Sequence, residues 1–95
     1  MHETEMAECR RRIALAASLY TLMNHNPDFK SVIMQGFLHD AVLQHSLNIN
    51  GNRKGSIDFL KAAAAFKKFL DTTLADGEQA QADLLNFQEL QQDGR

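Results

Sequence analysis

The sequence predicts an all-α protein, a small bundle of three to five helices. Apolar residues recur at spacings of three and four through most of its 95 residues. A single proline interrupts the chain, and four of the five glycines (Gly51, Gly55, Gly77 and Gly94) fall between apolar runs. No alternating apolar run flanks the turn dipeptide Asn50-Gly51, so a hairpin is not expected there.

These numbers bound the class. A chain of this length makes one domain with a barely adequate core. Hydrophobic content of 44% and charged content of 23% are ordinary for a globular chain and argue against wholesale disorder. A net charge of −2 argues against a nucleic-acid protein held by phosphate contacts. No apolar run is long enough to span a bilayer, and MHETEMAECRRR does not read as a signal peptide. The lone Cys9 cannot form an internal disulfide. The expected organisation is a helical core over residues 1–75 and an acidic C-terminal helical arm over 76–95.

The first helix is expected over residues 2–24. Met6, Ile13 and Tyr20 repeat every seven residues, as do Cys9, Ala16 and Met23, which gives one seam. Leu15, Leu19 and Leu22 form a second apolar stripe on another face. A helix apolar on two sides is commonly sandwiched between two neighbours, one of which another subunit can supply. Glu8 and Arg12 form an i,i+4 pair of favourable polarity, while Arg10, Arg11 and Arg12 point three ways round the helix and make no single basic patch.

Asn26 is the clearest helix start. Its side chain suits the cap, Pro27 suits the first helical position, and Asp28 complements the dipole. Phe29, Val32 and Ile33 follow at helical spacing and are expected to define one buried face. In a continuous α-helix Leu38, Ala41, Val42 and His45 would then face the opposite side, with Asp40 in the Phe29/Ile33 seam. An unpaired buried carboxylate is costly. A break near Gly36, with glycine in the left-handed cap conformation, is the expected solution.

NINGNRKG, residues 48–55, reads as a loop, with Arg53 and Lys54 as its basic pair. Ser56 is the expected cap of a third helix from Ile57 to about Leu74, ended by Asp76-Gly77. Phe59, Ala63, Phe66, Leu70 and Leu74 line its face, widened by Phe69 and Thr73. The last segment carries Leu84, Leu85, Phe87 and Leu90 among glutamines and acids; such a segment packs back on the bundle or docks in another protein's groove.

Chemistry is sparse. His39-Asp40 with His45 resembles part of a metal-ligand set, but the histidines are six apart and no complementary ligands follow at the required spacing. His2 and Glu5 share only a chain end. No glycine-rich phosphate loop, nucleophile elbow or paired carboxylates in an apolar setting appear. No catalytic residue, cofactor or metal is therefore expected.

The succession NPDFKSVI, QGFL and DAV, then a short polar loop, then IDFLKAAAAFKKFLD, resembles small helical proteins encoded by tailed bacteriophages. The likeness runs from Asn26 to Asp71, about half the chain. Phe37 and Asp40 follow that pattern, and His39 departs from it. The resemblance implies a phage origin, a role in the virion or its assembly, and residence in the host cytoplasm or the virion; it supplies no catalytic residues.

The expected function is a non-catalytic one exercised by protein–protein contact, through Leu15, Leu19, Leu22, Leu84, Leu85, Phe87 and Leu90. The partner is a second copy, giving a homo-oligomer, or another phage or host protein. The alternative is an inhibitor that binds a host protein. A nucleic-acid adaptor using Arg10 to Arg12 and Arg53/Lys54 is a third class, against which the net negative charge counts.

Overall fold

The computed structural model describes the backbone of residues 2–93 and the side chains of residues 3–90. The side chain of His2, and Gly94 and Arg95 altogether, lie outside the described residues. The protein is all-α, with three helical runs among the described residues. The first is α1, His2–His25. The second comprises α2 (Pro27–Phe29), a π-helix π1 (Lys30–Ala41) and α3 (Val42–Leu47). The third is α4, Arg53–Asp93.

Asn26 starts the second run as expected. Its backbone is extended, and the Phe29 N–H donates to Asn26 Oδ1 at 2.9 Å, with Pro27 at the first helical position. The expected break at Gly36 does not occur. No described glycine has a positive φ, and the backbone stays helical from Pro27 to Leu47. The chain instead widens to a five-residue hydrogen-bond repeat over Lys30–Ala41. A Cβ at Gly36 would lie 3.1 Å from the Ser31 carbonyl, five residues back, as that wider repeat requires.

The widening solves the Asp40 problem by another route. Phe29, Ile33, the Phe37/Leu38 pair and Val42 are among the partly buried positions and advance thirteen residues over three turns; Met34, Gly36, Ala41 and His45 are partly buried beside them. Asp40 falls outside this stripe and is exposed. Gln35 Nε2 donates to Asp40 Oδ1 at 2.9 Å, a contact between side chains five apart that the π geometry brings onto one face.

Two further expectations about α4 are corrected. Ser56 is not the cap: Gly55 N–H donates to the Asn52 side-chain oxygen at 3.2 Å, so α4 begins one turn earlier, and Ser56 is buried inside it. Nor does the helix end at Asp76-Gly77. It continues through both residues to Asp93 because Gly77 keeps a helical backbone. Gly77 is a place of close approach instead, where a Cβ would overlap that of Ala16 and lie 3.4 Å from the Arg12 carbonyl.

The chain divides into two compact units. In one, residues 2–20 of α1 pack with residues 71–93 of α4. The buried or half-buried positions Thr73, Gly77, Ala80, Leu84 and Phe87 follow a 4-3-4-3 spacing, and Met6, Cys9, Ile13, Ala16 and Leu19 answer them on α1. Leu19 rather than Tyr20 is the buried residue of the last α1 turn in this unit, and Tyr20 is exposed. The core is narrow, with Cys9, Leu19 and Ala80 as its buried apolar side chains among the described residues.

The other unit is residues 21–70. Here Phe37 of π1 packs on two residues of α4, its ring centroid 5.3 Å from Phe59 and 5.7 Å, edge-on, from Phe66. His45 of α3 stacks on Phe59 at 4.1 Å, and its Nδ1 lies 3.3 Å from Ser56 Oγ. Ala63 and Leu70 are buried, and burial of a leucine side chain contributes about 2 kcal/mol. Phe69, expected to widen the α4 face, is exposed.

Candidate interaction surface

The expected contact residues divide between the two units. Leu15, Leu19, Leu84, Leu85, Phe87 and Leu90 belong to the first, and Leu22 to the second. Leu19 is buried in the seam, and Leu84 and Phe87 are half-buried at seam positions of α4. Leu15, Leu85 and Leu90 keep 49%, 55% and 67% of their surface accessible, and Leu22 is also exposed. Burying a leucine is favourable by about 2 kcal/mol, so each of these side chains forgoes a large part of its hydrophobic free energy in the isolated chain.

Two helices side by side cover one stripe of each other and leave the flanks open. On one flank a groove of about 180 Å³ is lined by Arg11, Arg12, Leu15, Thr73 and Asp76. On another a groove of about 430 Å³ lies over the close approach of Ala16 and Gly77, between Ile13, Tyr20 and Leu74. Small residues on the helix pair let the backbones come close, and the larger side chains form the walls. Such a groove suits apolar side chains projecting from another helix.

Charge is distributed unevenly over this unit. Glu8 accepts from Arg11 at 2.6 Å and from Arg12 at 3.2 Å, which gives the expected i,i+4 pair a second member. The Arg11 hydrogen bond holds the Glu8 carboxyl down at about 2, with Arg12 helping, and Glu8 in turn raises Arg11. From Asp71 to Asp93, α4 carries six carboxylates (Asp71, Asp76, Glu78, Asp83, Glu89, Asp93) and no lysine or arginine. On their own helix the exposed leucines of this stretch therefore have only acidic charged neighbours.

In the second unit the structure exposes apolar residues that sequence reasoning did not single out. Leu43 and Leu47 are 51% and 75% accessible, and together with Asp40 and Gln44 they border an open groove. Val32 and Phe69, both expected on buried faces, are exposed as well; Val32 does not share the covered side of Phe29 and Ile33. The i,i+4 spacing of Leu43 and Leu47 was the available signal, hidden because an α-helical phase carried through Gly36 misplaces everything beyond it.

His39 and Asp40 are adjacent on the surface, with Nδ1 and Oδ1 2.9 Å apart, and Gln35 reaches both. The His39 contact, then the Gln35 hydrogen bond, holds the Asp40 carboxyl below its ordinary value. Among the described residues no three histidine, cysteine or acidic side chains converge on one point where a metal ion would sit. Nor is any described helix long and apolar enough to cross a membrane. No protein-family model, curated protein or solved structure matches the chain.

Proposed function

We propose that this is a non-catalytic protein that works by protein–protein contact, a phage structural or assembly component whose small helical bundle of three to five helices is completed against a partner chain. The observation that carries the reading is the exposure of Leu15, Leu85 and Leu90 in a unit with only two helices to cover them. Leu15 lies on α1 and Leu85 and Leu90 on α4, and large exposed apolar patches mark contact surfaces. The phage assignment rests on the resemblance over Asn26 to Asp71 alone. On this reading the protein resides in the host cytoplasm or the virion, and the partner is a second copy or another phage or host protein.

The test compares the native chain with the double variant Leu85→Asp/Leu90→Asp, both exposed positions, in sedimentation over a dilution series, in affinity capture from infected cells, and in mass spectrometry of purified particles. The reading expects a folded variant that loses self-association or loses the captured protein. Recovery in particles identifies a virion component; capture of one host protein without incorporation identifies the inhibitor alternative. A native chain that stays monomeric and captures nothing, with a variant that unfolds, contradicts the reading.

A further inference from the structure

The second helical run contains two apolar stripes, only one of which is in use. With the wide repeat of π1, the partly buried positions are Phe29, Ile33, Met34, Gly36, Phe37, Leu38, Ala41, Val42 and, beyond the π-helix, His45. An ordinary α-helix through the same residues would align Phe29, Ile33, Gly36, Asp40, Leu43 and Leu47, a 4-3-4-3-4 spacing that fits a helix seam. Both stripes share Phe29, Ile33 and Gly36 and part company after Gly36, where Asp40, Leu43 and Leu47 are exposed. The second stripe already contains the exposed Leu43 and Leu47, and Asp40 is its one misfit.

We propose that residues 30–47 form a two-register helix. The observed π register places Phe37, Val42 and His45 on the buried side, and a second, α-helical register would place Leu43 and Leu47 there instead. Asp40 selects between them. In the π register its carboxylate is in water and accepts from Gln35, five residues earlier. In the α register it would enter the seam without that partner, and a buried unpaired carboxylate opposes the change.

Phe37 adds to the selection through its contacts with Phe59 and Phe66. Long π-helices are rare because α bonding is the preferred state of the same backbone, so a π run of twelve residues needs side chains that hold it. Gly36 sits where the stripes diverge, and its lack of a Cβ tolerates the close Ser31 carbonyl. A change of register exchanges one presented apolar face for another without unfolding the run. The proposal is independent of the partner reading, and no partner enters its test.

Thiol labelling reads the register directly. In a Cys9→Ala background, Val42→Cys and Leu47→Cys are introduced singly, and each is reacted with a maleimide under native conditions. With Asp40 present, the thiol at 47 is expected to react at least tenfold faster than that at 42. Replacing Asp40 with leucine removes the misfit and is expected to reverse this order. Asp40→Ala is the second variant, which keeps helix propensity and adds no bulk, and it decides the matter if Asp40→Leu lacks a cooperative melt. A folded leucine variant, or in its default a folded alanine variant, that keeps the original order overturns the proposal. So does loss of cooperative folding in both, since a reachable second register would have received the chain.

Discussion

Glu8 is the residue whose surroundings most clearly alter its chemistry. Two guanidiniums contact it, and the Arg11 hydrogen bond, with help from Arg12, holds its carboxyl down at about 2, well below the usual carboxylate range. A carboxylate with a depressed folded pKa contributes stability above its unfolded pKa, and that contribution is lost as pH falls through the folded value. The pair is exposed and screened, so the effect is small. Glu8→Gln is expected to leave a slightly lower melting temperature at neutral pH, with the difference from the native chain vanishing between pH 4.5 and 2. Melting curves across that range check it, and a constant difference would place the effect elsewhere. Asp40 shifts in the same direction, so its contribution also weakens on acidification.

At the scale of elements, the two glycines inside helices make contrasting predictions. Gly77→Ala gains roughly 1 kcal/mol of helix propensity. It also drives a methyl group into Ala16 on the neighbouring helix, where overpacking costs about 1–3 kcal/mol. Net destabilisation is expected, because the obstacle is a short side chain with no alternative rotamer. Gly36→Ala meets only a carbonyl at 3.1 Å and is expected to change stability by less than about 1 kcal/mol. Denaturant melts of both variants check the order, and a Gly36→Ala effect larger than that of Gly77→Ala contradicts it. The starts of the first two helical runs and part of the seams were legible in the sequence, whereas the start of α4 was placed one turn late, at Ser56. Asn26 and Pro27 announced a helix, and Cys9, Ile13 and Ala16 on α1 and Ala63 and Leu70 on α4 announced the covered faces. Gly36 and Gly77 were misread because glycine was taken as punctuation, although neither adopts the left-handed backbone that makes it one. The π-helix was hidden because Phe29, Ile33, Phe37/Leu38 and Val42 were measured against a repeat of 3.6 residues, when their own spacing exceeds four.

For the whole molecule, the functional reading rests on what the helices leave uncovered. Leu85 and Leu90 looked like contact residues in the sequence and are exposed, whereas Leu19, from the same candidate set, is buried. That difference was not legible, because the stripe through Leu15, Leu19 and Leu22 crosses the edge of the seam and its phase depends on where the second helix lies. The most direct measurement is the broadening of assigned leucine methyl signals by a soluble paramagnet, in dilute protein and again in the concentrated or partner-bound state. The expected result is strong broadening of Leu15, Leu85 and Leu90 in dilute protein, little at Leu19 and Leu70, and protection of Leu85 and Leu90 on association. If Leu85 and Leu90 are as shielded as Leu70 in the isolated dilute chain, they are core residues, and function by contact through this helix is contradicted.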